Sequence, residues 1–389
     1  MRDRFVRPEG IYLAGNSLGA LPRGVAEAVA DTIRHDWADH LVGGWNDRDW
    51  WTLPRRVGDR IAPLIGAGPG QVICGDSTSI QLFQAVVGML RLRPGPTPVV
   101  IDAGDFPTDR YVADAAARLV GTRIKRVDPD AFGPPVEPVV ALFSAVDFAT
   151  GARRDMLAVT DAVHAAGGLV VWDLSHAAGA IPLHLDGLGA DAAVGCTYKY
   201  LCGGPGSPAY LYLPHRHQSA FAPAIPGWQG HADPFGLAER YLPADGVERG
   251  RIGTPPILSM IAVSRALDVW DAVAMADVRA KSLALTDLVI AYADTHLRPF
   301  GVEVVTPRPH DRRGSQVSLR VADAHPLSRA LIARGVTGDF RAPDVLRLGM
   351  APLYLSHAEV WDAMGILGDV LATGAHHDPA LTRGRQPTT

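Results

Sequence analysis

Between residues 55 and 285 the chain alternates short apolar runs with amphipathic stretches, and this alternation restricts the fold more than any other feature. QVICG (71–75), TPVVIDAG (97–104), TRIKRVD (122–128), PVVALFSAV (138–146), GLVVWDLS (168–175) and DAAVGCT (191–197) read as strands. RVGDRIAPLIGA (56–67), DSTSIQLFQAVVGML (76–90), TDRYVADAAARLV (108–120) and MLAVTDAVHAAG (156–167) read as helices between them. Strands this short and this continuously apolar are buried on both faces, which predicts an α/β fold with a mostly parallel sheet. Ligands of such sheets bind beyond the carboxyl ends of the strands.

A helix over 259–275 leads to a second unit, where VEVVTP, SQVSLRV, HPLSRALIARG, VLRLGMAPL and HAEVWDAMGILGDVLATG predict a small α+β domain. The expected division is an N-terminal arm (1–54), a large domain (55–285), a small domain (286–372) and a polar, disordered tail (373–389). The arm holds Trp37, Trp45, Trp50 and Trp51, four of the eight tryptophans. They read equally as a core or subunit contact and as an aromatic wall for a ligand.

Bulk properties remove several function classes. With 37 basic and 41 acidic residues the net charge is −4, and the arginines form no stripe, so neither nucleic acid nor a membrane surface is an expected partner. Cys74, Cys196 and Cys202 are odd in number and form no CxxC pair, which speaks against a disulfide framework or a metal site. No run has signal-peptide or transmembrane character, and the expected location is the cytoplasm.

Four strand ends hold residues suited to one site. Gly75-Asp76-Ser77-Thr78-Ser79 runs into a helix, whose free N–H groups and hydroxyls can cradle a phosphate; simple N-capping by Asp76 or Ser77 explains the same residues. Phe106, in Asp105-Phe106-Pro107-Thr108-Asp109, can stack on a flat ring or fill the core. Asp173, in VVWDLSH, is a carboxylate ending an apolar strand; that costs several kcal/mol without a partner, and a pyridinium N–H is one. His176 follows three residues later. Lys199, in CTYKYLCGGPGS (196–207), precedes a glycine-rich turn; a lysine facing the ligand crevice is a poor packing residue and a good Schiff-base former. The four together, in this order on one sheet, point to a pyridoxal-phosphate enzyme with Lys199 as its Schiff-base lysine.

AGNSLG (14–19), GGWNDRDWW (43–51), GDSTSIQLF (75–83), DFPTDRY (105–111), VWDLSHAAGAIPL (171–183), CTYKYLCGGPGS (196–207), GWQGH (227–231), GTPPILS (253–259) and LRLGMAPLY (346–354) give the chain a resemblance to the kynureninases over nearly its whole length. These are fold-type-I pyridoxal-phosphate enzymes of the class V aminotransferase-like superfamily. The resemblance implies hydrolysis of L-kynurenine to anthranilate and L-alanine in a homodimer with shared sites. Lys199 would carry the cofactor, Asp173 would meet its ring nitrogen, and Phe106 would stack on it. Thr78, Ser79, Tyr198, Trp228 and Thr254 would surround the phosphate, with Trp228 and Thr254 drawn from the partner subunit. Asp109, Ser144 and His176 would complete the cofactor's contacts. Tyr198 would move protons during cleavage, and Arg347 would clamp the substrate carboxylate. Asn16, Ser17, Trp45 and Gly253 would border the substrate. Trp45 and Gly253-Thr254 stand where relatives favouring 3-hydroxykynurenine carry more polar residues, so a preference for kynurenine is expected. Cys202 stands where Asn is common, and Asp147-Phe148 replaces a more usual Asn-Tyr. These departures leave open a substituted kynurenine of secondary metabolism. A cysteine desulfurase-like lyase would need a nucleophilic cysteine in the C-terminal part, and none of the three cysteines lies there.

Overall fold

The computed structural model describes residues 1–93, 95–128 and 132–382. An N-terminal strand, β1 (Ile11–Tyr12), is followed by a helical segment over 25–40 and by the helix Leu53–Ile61. Seven strands then build the large sheet: β2 (Val72–Cys74), β3 (Val99–Asp102), β4 (Ile124–Val127), β5 (Val140–Ser144), β6 (Leu169–Asp173), β7 (Ala192–Gly195) and β8 (Tyr210–Tyr212). Their order is β2-β8-β7-β6-β5-β3-β4. β8 alone runs against its neighbours β2 and β7; the other pairings are parallel. Residues alternate between two buried layers along each strand, with Leu169 and Val171 packing to one side and Val170 and Trp172 to the other. This is why the sequence shows unbroken apolar runs rather than an apolar–polar alternation.

β8 is an addition to the predicted strands. Three residues behind the Gly/Pro-rich segment 203–208 are too few to show a period. The helix expected over 259–275 is also revised. It runs from Ile257 to Ala266, breaks through a turn at Leu267–Val269, and an unforeseen helix spans Met275–Tyr292. The buried Trp270 sits in the break, its N–H bonded to the Leu267 carbonyl at 3.0 Å. The division drawn at residue 285 thus falls inside a helix, and that helix packs on His357–Thr373 of the small unit.

The small unit holds β9 (Glu303–Val304), β10 (Gln316–Arg320), β11 (Val336–Thr337), β12 (Asp339–Arg341) and β13 (Val345–Gly349). Four of these form an antiparallel sheet ordered β12-β13-β10-β9, in which Arg347 faces Asp339 on one side and Ser318 on the other. β1 pairs in parallel with β11, so the N-terminal arm is stitched to this unit. Ser356 and Glu359 make a capping box at the start of His357–Thr373, a device worth about 1 kcal/mol. Of the tail expected to be disordered, residues 375–377 and 379–382 are helical and His376 is buried, with the turn packing on the helix Ala324–Ala333. Residues 383–389 lie outside the described residues.

Candidate active site

Lys199 leaves β7 in a bend closed by two backbone bonds, Cys202 N–H to the Lys199 carbonyl (2.9 Å) and Gly203 N–H to the Thr197 carbonyl (2.8 Å). The segment 14–19 of the N-terminal arm lies over this bend. Gly19 donates its N–H to the Tyr198 carbonyl at 2.7 Å, and a Cβ at Gly19 would come within 2.3 Å of the Lys199 carbonyl oxygen. Only glycine permits that approach. The lysine amine sits 2.8 Å from Nε2 of His176. Burial, and then the Lys199 charge, push the imidazole well below its ordinary pKa. His176 is therefore neutral, and its Nε2 accepts from the ammonium.

Beside the amine lies a cluster of carboxylates. Ser144 and Asp173 are partners in register at the ends of β5 and β6. Asp173 accepts the Ser175 N–H at 2.6 Å. Asp105 accepts from the Ser144 N–H (3.1 Å), the Ser144 hydroxyl (2.6 Å) and the Phe106 N–H (2.8 Å). Asp109, in the first turn of the helix Pro107–Val120, is pushed well above the usual carboxylate range by burial and by the charges of Asp173 and Asp105. Its Oδ2 is buried without a hydrogen-bond partner. Such a cluster has more carboxylates than the single Lys199 amine can balance, and it suits a further cationic N–H donor.

Asp105 sets a pH dependence. Burial lifts its pKa from 3.8 to about 6, with the Asp173 charge adding to the rise. The folded chain therefore holds this proton between about pH 4 and pH 6 while the unfolded chain releases it. Stability falls as pH rises through that window and stays lower above it. At 1.36 kcal/mol per unit the loss is on the order of 3 kcal/mol. In the cofactor-free protein, Asp105→Asn should flatten the dependence of the urea midpoint on pH between 4 and 6.5. Equal slopes for variant and parent would refute the assignment.

Lys199, Asp109 and Asp173 line one cavity of about 340 Å³, and Asp105 bonds to Ser144, which lines it too. At one wall, Thr78 and Ser79 open the helix Thr78–Arg91, where N–H groups lack intrahelical partners. Ser77 caps this helix, its hydroxyl accepting the Ile80 N–H at 3.4 Å, so capping and cradle coexist. Phe106 is 42% exposed and edge-on to Phe148 at 5.3 Å, leaving an aromatic face to the cavity. Tyr198 lines the same space, its phenol pushed up by the adjacent Cys196 and by burial, so it stays protonated. Two guanidiniums, Arg341 and Arg347, also line the cavity. Arg347 is buried, with Nε and Nη2 on the Asp339 carboxylate (2.6 and 2.5 Å). Ser17, Asn16 and Arg341 border it.

A flat ring with a protonated nitrogen, an aldehyde and a phosphate suits these groups. The carboxylates need the N–H, the amine suits the aldehyde, and the helix start suits the phosphate. Twelve of the residues expected from the sequence meet in this cavity: Asn16, Ser17, Thr78, Ser79, Phe106, Asp109, Ser144, Asp173, His176, Tyr198, Lys199 and Arg347. Thr108, Val146, Phe148, Ser175 and Arg341 line it too and were not foreseen as site residues. Each neighbours a foreseen residue or a noted departure, except Arg341, whose setting FRAPD reads as an ordinary turn.

Trp45, Trp228, Gly253 and Thr254 do not line the cavity of their own chain. Trp45 and Trp228 belong to a separate aromatic face, and Gly253 borders a small pocket beside Cys74 and Gly75. Trp51 packs on Trp45 (6.3 Å), Trp228 (5.6 Å) and Phe235 (5.4 Å), with the Arg251 guanidinium over its ring at 4.9 Å. Trp228 is 43% exposed and Phe235 73%. The physical reason is local: Trp51 of the arm packs on Trp228 and Arg251 of the segment 227–254.

Residues 278–367 match the family model described as the kynureninase C-terminal domain. The chain is 44% identical to the kynureninase of Burkholderia pseudomallei (strain 1106a), over 97% of this chain and 94% of that protein. It is 46% identical to the kynureninase of Deinococcus radiodurans, over 93% and 90%. Among solved structures it resembles the cysteine desulfurase of Thermococcus onnurineus NA1 (TM-score 0.77, 16% identity, 94% and 95% covered). It also resembles a lysine variant of C-DES with glycine covalently linked to the PLP cofactor (TM-score 0.79, 15% identity, 95% and 99% covered). At such identities the likeness is one of fold. The three thiols are buried and pushed up by that burial, so none is the nucleophile a desulfurase would need.

Proposed function

The chain belongs to the kynureninase family, and from that premise we propose how its residues divide the hydrolysis of L-kynurenine to anthranilate and L-alanine. The reaction breaks the Cβ–Cγ bond beside a ketone. Pyridoxal phosphate, the cofactor, supplies when bound an electron sink for the carbanion formed next to the substrate amine. The observation that carries the reading is one cavity bordered by the Lys199 amine, the Asp173 carboxylate and the Arg347 guanidinium.

Lys199 would anchor the cofactor, and its free amine is placed to take the Cα proton of the substrate. Neutral His176 accepts a hydrogen bond from that amine at 2.8 Å and keeps it aimed. Asp173, backed by Ser144, Asp105 and Asp109, would hold the protonated ring nitrogen. Phe106 would stack on the ring, and Thr78 and Ser79 would hold the phosphate. Tyr198, protonated, delivers a proton around the cleavage step. Arg347 meets the substrate carboxylate, with Asn16 and Ser17 beside it.

Two finer readings join this. The aromatic face of Trp45, Trp228 and Phe235, with Gly253 and Thr254, completes the cavity of a partner subunit in a homodimer; the exposure of Trp228 and Phe235 supports it. No helix among the described residues is long and apolar enough to cross a membrane, and we assign the enzyme to the cytoplasm. The unit boundary is best set before Met275, which keeps the helix Met275–Tyr292 whole.

Incubation with L-kynurenine should release fluorescent anthranilate; its absence from cofactor-saturated protein would end the reading. Kynurenine should surpass 3-hydroxykynurenine in kcat/KM by about tenfold, since Trp45 and Gly253 offer a ring hydroxyl fewer hydrogen-bonding groups than polar side chains would. An advantage for the hydroxylated substrate would reverse the specificity assignment, and turnover only of another ring-substituted kynurenine would point to secondary metabolism.

A further inference from the structure

Arg347 has little left to give a carboxylate. Its Nε and Nη2 grip Asp339, and Nη2 also reaches the Ser17 hydroxyl at 3.3 Å. Its Nη1 donates to the Phe148 carbonyl. Four of the five N–H groups are thus engaged, and Asp339, itself 1% exposed, balances the charge. The pair as a unit is close to neutral and presents one spare N–H.

The neighbouring cation is in the opposite condition. Arg341 ends β12, two residues along from Asp339, and lines the cavity. Its Nη1 donates to the Phe340 carbonyl at 2.9 Å. Its Nη2 stands 3.7 Å from Asp339 Oδ2, beyond hydrogen-bond reach, and its other N–H groups have no partner among the described residues. The side chain is 28% exposed, so the guanidinium is partly desolvated without an anion of its own. Burial and the Arg347 charge both disfavour its charged form, a penalty that an incoming anion would relieve. Two guanidiniums against one carboxylate leave this part of the cavity wall positive.

We propose that Arg341 supplies the principal half of the site for the α-carboxylate of kynurenine, while Arg347, fixed by Asp339, contributes its single remaining N–H. Arg341 is then a specificity-determining residue: it selects an α-amino acid over the corresponding amine. The proposal rests on the kynurenine-cleaving reading and refines its carboxylate site.

The test compares the holoenzyme with Arg341→Gln and Arg341→Lys. Borohydride fixation of the cofactor at Lys199 and the cofactor absorbance verify folding and loading of each variant. Steady-state kinetics with kynurenine are joined by calorimetric binding of L-alanine, the carboxylate-bearing product, and of kynuramine, which is kynurenine without its carboxylate. Arg341→Gln should raise KM for kynurenine and Kd for L-alanine about 10- to 100-fold, the size of a lost charge-assisted hydrogen bond. Kd for kynuramine should move less than about twofold. Arg341→Lys, which keeps a charge but loses the fork, should recover part of the loss. Unchanged KM and Kd in Arg341→Gln, or an equal loss for kynuramine, would overturn the assignment. Failure of the parent enzyme to cleave kynurenine would instead refute the underlying reading, and the L-alanine arm reports on Arg341 in either case.

Discussion

Lys199→Ala is expected to lower steady-state release of anthranilate by at least about a thousandfold, equivalent to about 4 kcal/mol of barrier. The size follows from the position rather than from the amine alone. Lys199 is the only lysine bordering the cavity among the described residues. Its backbone is fixed by the bend that Gly19 closes over, and its amine is held by a neutral imidazole. Alanine removes both the anchor of the cofactor and the base for the Cα proton, and water in a loosened pocket supplies neither in the right place. Lys199→Arg retains the charge and does not substitute, because a guanidinium stays protonated and cannot add to an aldehyde. Borohydride should no longer fix cofactor to either variant, whereas cofactor should still bind non-covalently through Asp173 and the helix start at Thr78. Turnover within tenfold of the parent would remove Lys199 from the centre of the mechanism.

The parts of the fold that were legible in the sequence share a physical cause. β5 and β6 are buried on both faces, so VALFS and LVVWD are nearly uniform in polarity until they end, and the first polar residues, Ser144 and Asp173, mark the ligand side. The same logic located Lys199 after β7. It failed where an element is short or its period weak. β8 is three residues long. The helix Met275–Tyr292 is buried at Val278, Ser282, Leu285, Thr286 and Val289 through a mixture of apolar and hydroxyl residues, which blurs its apolar stripe. Arg341 was illegible for another reason: a turn-like FRAPD segment gives no clue that its guanidinium swings to a cavity shared with residues some three hundred positions earlier. Cys202 shows the converse. It occupies left-handed backbone at φ 59°, a conformation that asparagine tolerates better than most residues, which is a physical reason for the Asn that the resemblance leads one to expect there.

Asp339→Ala should destabilise the fold by about 3–5 kcal/mol, the largest stability effect expected of a single substitution at this site. Asp339 and Arg347 are each 1% exposed and lie opposite one another on β12 and β13. Their fork is made of two bonds at 2.6 and 2.5 Å, and the Ser17 hydroxyl also donates to Asp339. Loss of the carboxylate leaves the buried Arg347 guanidinium unpaired beside the Arg341 charge in the same cavity wall. The cost is thus desolvation plus repulsion, not merely the loss of a pair. This distinguishes it from surface pairs such as Arg320–Glu303, whose removal should cost less than about 1 kcal/mol. If uncompensated charge is the cause, Asp339→Leu combined with Arg347→Met should recover much of the stability lost by Asp339→Ala, although catalysis would be gone. Chemical-denaturation midpoints of the three proteins decide it. A midpoint for Asp339→Ala equal to the parent's would show that the buried pair is not what secures β12 to β13.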